Sequence, residues 1–230
     1  NGTVKGQLRI ASGTNGLGAL TNEDAFGISV AGLGDLDNDG VEDMAVGAYG
    51  DDTGGTTGAD RGAVHVLLMN TDGTVKSQQK IADSTGGFGA LTNQDKLGYG
   101  VTGLGDLDGD GVEDLAAGTY LDDTGGTDRG AVYVLLMNTD GTVKSTQKIA
   151  DSTGGFGALA DFDYIGMSIT AIGDLDSDGI TDLAVGAYGD DTGGADRGAV
   201  YVLFLERADF ADATNAAGVG DTGDGRGVVW

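Results

Sequence analysis

The stretch ADSTGGFGAL occupies residues 82–91 and returns letter for letter at 150–159, and NTDGTVKS does the same at 70–77 and 138–145. Matches this long at one spacing mean that the chain repeats a single structural unit, so whatever one copy folds into, the others must fold into as well. A further set of matches gives the number of copies: GDLDNDGVED at 34–43, GDLDGDGVED at 105–114 and GDLDSDGITD at 173–182. Asp106 and Asp174 stand 68 positions apart, and Asp35 and Asp106 stand 71 apart, the excess being the TTGA at 56–59. The units therefore run 1–69, 70–137 and 138–205. Residues 206–230 differ, although their GDTGDGRGVVW resembles a worn DDTGGADRGAVYV and reads as the start of a further, partial repeat.

Within a unit the apolar residues recur with a period of two, in short segments, which is the pattern of strands rather than helices. In the middle copy the expected strands are Leu97–Gly105, Val112–Thr119, Ala131–Met137 and Thr142–Ile149. AVYVLLM is the most apolar and should be the most buried; TVKSTQKI alternates and should lie at an outer edge. Glycine-rich turns separate them, and no segment has helical periodicity of useful length. Four antiparallel strands per repeat define a propeller blade, so the fold class is all-β, with three blades of about 68 residues. NGTVKGQLRI at the start resembles the fourth-strand sequence, which brings the expected total to twelve strands. Propellers generally close with about four to eight blades, so three leave open strand edges. Such edges invite pairing, and self-association through them, either as a shared six-bladed ring or as a filament, is an expected consequence.

The acidic stretch between the first two strands places carboxylates at alternate positions, and charges packed so closely repel one another unless a cation sits among them. Oxygen ligands at this spacing suit a hard cation, with the glycine at the sixth position allowing the chain to turn around it. An EF-hand would need a glutamate at the twelfth position, where Val46, Ala117 and Val185 stand, and flanking helices as well. Acidic turns without a metal are the plainer reading. Three intact copies favour the cation, and the number of protein oxygens favours calcium over magnesium, which prefers to keep its waters.

FG at 26–27, the DxDxDGxxD run, GA at 47–48 and GAVHV at 62–66 together resemble the FG-GAP repeat of integrin alpha subunits and many bacterial surface proteins. The resemblance covers residues 1–205. It departs at LG 97–98 and IG 165–166, and where Tyr49, Tyr120 and Tyr188 replace the proline of GAP. It implies a β-propeller whose calcium loops join the first two strands of each blade. By similarity to that loop the three Ca2+ sites would be Asp35, Asp37, Asp39, the Val41 carbonyl and Asp43; Asp106, Asp108, Asp110, the Val112 carbonyl and Asp114; and Asp174, Asp176, Asp178, the Ile180 carbonyl and Asp182. It further implies an extracellular or cell-surface protein that serves adhesion or recognition of a protein or glycan ligand through loops on the face opposite the calcium loops. A self-assembling subunit of a surface layer or filament is the alternative, with a lectin-like module or a propeller enzyme third.

The remaining features narrow the function classes. A formal charge of −25 disfavours nucleic acid and anionic membranes as partners. Cysteine is absent, which removes disulfides and thiolate-ligated zinc, and no apolar run approaches a membrane span. The first residue is Asn1 and no signal-peptide segment follows, so a processed form or a piece of something longer is expected. Catalysis has little support: the single histidine, His65, stands where the other copies have Tyr133 and Tyr201, and nearly every acid has its counterpart elsewhere. The chain is therefore expected not to be an enzyme. The Asp60–Arg61, Asp128–Arg129 and Asp196–Arg197 pairs are expected to brace turns, and Asp24, Asp95 and Asp163 to cap them. Residues that differ between copies, namely Lys96, Tyr99, Phe162, Tyr164 and the 56–59 insertion, are the candidates for specific binding.

Overall fold

The computed structural model describes residues 2–207, and among them every regular element is a strand. Strands β1 (Val30–Gly32), β2 (Met44–Ala48), β3 (Ala63–Met69) and β4 (Val75–Ala82) form one sheet in that order. Strands β5 (Val101–Gly105), β6 (Asp114–Thr119), β7 (Ala131–Met137) and β8 (Val143–Ala150) form the second. The third holds β9 (Ile165–Gly173), β10 (Asp182–Ala187) and β11 (Ala199–Leu203). All pairings inside the sheets are antiparallel, and the registers of β3–β4 and β7–β8 are the same repeat by repeat: His65 faces Lys80 as Tyr133 faces Lys148. No helix among the described residues is long and apolar enough to cross a membrane.

The sequence pattern places three of the four strand types closely. β7 is AVYVLLM as expected, and β8 is displaced by one residue. The first strand of the middle blade begins at Val101 rather than Leu97, because residues 96–98 turn: Lys96 and Gly98 have φ of 63° and 85°, in the left-handed region that cannot continue a strand. Leu97 instead bridges in parallel to Gly62 of the first blade, and its N–H donates to the Arg61 carbonyl at 2.9 Å. Eleven strands are present among the described residues, not twelve. The opening segment, whose sequence predicts a fourth strand, is not paired, since a fourth strand needs a third strand beside it and none of the described strands stands there.

Cores lie between the blades. Val64, Val66 and Leu68 of β3 pack with Phe88, Leu91, Leu135, Met137 and Val143 of the second blade. Val132, Val134 and Leu136 of β7 meet Leu159, Ile165, Leu183 and Val185 of the third in the same way. A third cluster, with Leu17, Val46, Leu67, Met69 and Val75, covers the outer side of the first blade. The third strand of each of the first two blades is thus pressed on both faces, which is why AVxVLLM is apolar without alternation. Close approach of blades also explains Gly47 and Gly118: a Cβ on either would lie 1.8 or 1.9 Å from the carbonyl oxygen of Gly98 or Gly166 in the next blade.

Candidate functional site

The acidic loops connect β1 to β2, β5 to β6 and β9 to β10, all at one end of the sheets. Each is folded by its own carboxylates. Asp35 accepts the N–H groups of Asp39 (2.9 Å) and Gly40 (2.8 Å); Asp106 accepts those of Gly109, Asp110 and Gly111; Asp174 accepts those of Asp178 and Gly179. Asp39, Asp110 and Asp178 take the N–H groups of Val41, Val112 and Ile180 at 2.9, 2.9 and 2.8 Å. Gly40, Gly111 and Gly179 at the sixth position have φ of 87°, 85° and 89°, so the glycine is required there. The fourth position is also left-handed, which accounts for the residues that vary there: Asn38, Gly109 and Ser177, the first and last with φ of 58° and 66°.

The ninth position has a distinct duty. Asp43 is buried and accepts the N–H of Leu36 (2.9 Å) in its own loop and that of Met69 (2.8 Å) at the end of β3. Asp114 does the same with Leu107 and Met137, and Asp182 with Leu175 and Leu205. Each carboxylate ties its loop to the third strand. Burial pushes the Asp114 carboxyl up to about 6, against the downward pull of its two N–H donors. Asp43 moves in the same direction for the same cause.

Donor oxygens of Asp35, Asp37 and Asp39 lie within 4.8 Å of one another, as do those of Asp106, Asp108 and Asp114, and of Asp174, Asp176 and Asp182. Each group could hold a metal ion. Asp43, Asp110 and Asp178 fall outside these tight groups. The fit to a cation has two supports in the geometry. Asp37 Oδ1 is buried with no hydrogen-bond partner, an acceptor left open while Lys76 meets the other oxygen of the same carboxylate. In the first two loops a lysine ammonium is drawn among the acids: Lys76 contacts Asp37 and Asp39, and Lys144 contacts Asp108 at 2.5 Å and Asp110 at 2.7 Å. Lys76 and Lys144 are accordingly raised, by their hydrogen bonds to those carboxylates, and Asp39 and Asp110 are lowered by the same contacts. Among the described residues the third loop has no such lysine, and Asp176 is pushed up by loss of solvation with Asp178 adding to it.

At the opposite ends of the same strands lies a row of tyrosines. Tyr49 meets Tyr99 at 5.3 Å between ring centroids, Tyr99 meets Tyr120 at 4.5 Å, Tyr120 meets Tyr164 at 6.2 Å, and Tyr164 stacks on Tyr188 at 5.7 Å. Lys96 lies 5.3 Å over the Tyr49 ring and Phe162 borders Tyr164. Of the residues that vary between copies, Lys96, Tyr99, Phe162 and Tyr164 therefore gather with those in the place of the GAP proline, a convergence invisible along the chain. Turn-bracing duties fall as expected in outline: Asp24, Asp95 and Asp163 accept the N–H groups of Thr21, Thr92 and Ala160. Arg61 and Arg129 reach forward to Asp83 and Asp151 in the linker to the next blade rather than back to their own loop. His65 is buried edge-on against Phe26, with neither ring nitrogen hydrogen-bonded and its basicity lowered by burial, which is a packing role.

Consecutive antiparallel sheets of four, four and three described strands, each with an acidic loop between its first two strands, define a β-propeller repeat protein. The chain belongs to the FG-GAP repeat family, which it matches at residues 26–67, 97–135 and 166–203. Among characterised relatives it is 31% identical over 169 residues to integrin alpha-5 of Xenopus laevis, covering 73% of this chain and 15% of that protein. It is 31% identical to integrin alpha-PS2 of Drosophila melanogaster over 72% of this chain and 12% of the other, and 31% identical to integrin alpha-IIb of Homo sapiens over 71% and 15%. The chain thus spans a small part of these relatives' length.

Proposed function

We propose that the chain is a calcium-binding propeller module of the cell exterior that recognises a protein or glycan ligand. The observation that carries this reading is the threefold convergence of carboxylates in loops of one design. Calcium would be held by Asp35, Asp37, Asp39, Asp43 and the Val41 carbonyl in the first loop, and by the corresponding sets at 106–114 and 174–182. When bound it supplies positive charge that relieves the repulsion among these acids and pins the turn between the first two strands. Extracellular calcium modules work at about 10⁻⁴ to 10⁻³ M. The likeness to integrin alpha chains supports adhesion or recognition, with the tyrosine row, on the end opposite the acidic loops, as the surface a ligand would meet. In this reading the blades follow the units 1–69, 70–137 and 138–205, with 206–230 a partial repeat whose residues 208–230 lie outside those described.

Calorimetric titration with calcium is expected to give three sites, each stabilising the fold by roughly 1.4 kcal/mol at ten times its dissociation constant. Asp37→Ala, Asp108→Ala and Asp176→Ala are each expected to remove one. Equal melting temperatures with calcium and with chelator would refute the calcium role. A second reading, self-association through open blade edges, is favoured by one observation: among the described residues no strand covers the outer edge of β11.

A further inference from the structure

Among the described residues the third sheet has no fourth strand, and the first two blades record what belongs in its place. In each, the loop that precedes the blade receives the start of the fourth strand: Val75 N–H donates to the Asn15 carbonyl and Val143 N–H to the Gly86 carbonyl, both at 2.8 Å. Gly16 and Gly87 then sit so close to Val75 and Val143 that a Cβ would lie 2.0 or 2.1 Å from the carbonyl oxygen. At the third copy the counterpart Gly155 has nothing within 4 Å. A cavity of about 720 Å³ opens there, lined by Val134, Leu136 and Ile149 of the second blade, Phe156 of the loop, and Leu203 and Leu205. In the joint between the first two blades Gly141 backs onto Val66 and Gln79, and Val143 fills the equivalent space.

The chain also carries the missing piece. Gly2-Thr3-Val4-Lys5 repeats Gly73–Lys76 and Gly141–Lys144 letter for letter. The segment lies beside the first blade as β4 lies beside the second: a Cβ on Gly73 would be 3.4 Å from Leu8, as one on Gly141 is 3.2 Å from Gln79. Yet Val4 is 82% and Leu8 48% exposed, since no third strand stands beside them among the described residues. One region holds strands one to three of a blade and another holds the sequence of strand four, and among the described residues the two are not paired with each other.

We infer that copies of this chain join head to tail, residues 3–10 of one adding antiparallel to β11 of the next as the fourth strand of its third blade. This rests on the assembly reading above and gives it a seat and a register. By the pairing of β7 with β8, Arg9 faces Tyr201, Leu8 faces Val202 and Gln7 faces Leu203. Val4 enters the cavity and donates its N–H to the Gly154 carbonyl. Lys5 reaches the acids of the third loop, as Lys76 and Lys144 reach theirs. The contact is heterologous, so it closes into a ring of two copies if the rotation allows and extends as a filament if it does not.

The natural absence of cysteine makes the register testable. Leu8→Cys and Val202→Cys proteins, mixed and oxidised, are expected to give a disulfide between position 8 of one copy and position 202 of the other, with Val200→Cys giving far less. Sedimentation of the native chain should show a dimer or a ladder of larger species. Val4→Asp with Leu8→Asp, at exposed positions that leave the monomer folded, should weaken association by about tenfold or more, because a carboxylate would enter an apolar seat. Association without the disulfide between positions 8 and 202 would overturn the seat and leave the assembly reading standing. A monomer at all concentrations would overturn both, including one whose β11 amides resist exchange because the chain's own residues 208–230 cover the edge.

Discussion

AVYVLLM at 131–137 and AVYVLFL at 199–205 are almost the same sequence in two blades, and the structure treats them differently. In β7, Val132, Val134 and Leu136 are 0%, 8% and 4% exposed; in the last blade Val200, Val202 and Phe204 are 71%, 45% and 57% exposed. The strands pair inward in the same register, Ala117 with Tyr133 and Val185 with Tyr201. What differs is the neighbour. A repeat buries its apolar face only against the next repeat, so the stability of each blade is in large part a property of its joints.

Truncating the equivalent large side chain on that face in each blade tests this dependence most directly. Leu136→Ala, buried at the joint with the third blade, should cost about 2–5 kcal/mol, and Phe204→Ala, 57% exposed, should cost under about 2 kcal/mol, both read from the denaturation midpoint. Equal losses would mean that the last blade is already covered in solution.

A smaller effect sets the first blade apart from the others. His65 lies where Tyr133 and Tyr201 stand, and Tyr201 uses its hydroxyl to donate to Asp190 at 3.1 Å while both His65 nitrogens go unpaired. Burial lowers the His65 pKa below its usual 6.5. The unfolded chain therefore takes up the proton first, and the first blade keeps its full stability above about pH 6.5 and loses it as pH falls through the interval down to the folded value. His65→Tyr should remove this acid sensitivity and add about 1 kcal/mol at pH 5, seen as a flatter melting profile between pH 5 and 7. An unchanged profile would place the acid response elsewhere.

The smallest expected effect separates the loops. Lys144 occupies the second acidic loop and no lysine occupies the third among the described residues. A bound cation must displace it, so Lys144→Gln should raise calcium affinity at the second loop by about two- to fivefold, the modest scale of an exposed ion pair, and leave the third unchanged. Loss of affinity instead would make the lysine a support of the loaded site.

These contrasts mark how far the sequence could be read. Blade strands were legible because their period of two and the repeated turns leave little choice, and the acidic loops because Asp35, Asp37 and Asp39 alternate ahead of a glycine that must turn left-handed. The forward reach of Arg61 to Asp83, the clamp from Asp43 to the Met69 N–H and the meeting of Tyr99 with Tyr49 and Tyr120 were not legible, since each joins residues whose proximity depends on how blades stack. The late start of β5 was missed for a local reason, a left-handed Lys96 that no residue pattern announces.

The unit was written in the amino-acid order alone: four strand types, their alternation, the loop that gathers carboxylates, and the number of copies, because these follow from side-chain period and turn chemistry within a few residues. The folded arrangement decided which copies of the same strand are buried, which acids share an open oxygen or a lysine, and where the apolar seat beside β11 lies empty of a fourth strand among the described residues. Burial and charge pairing depend on what stands across a joint, and a repeat that is identical in sequence differs there only by its neighbours.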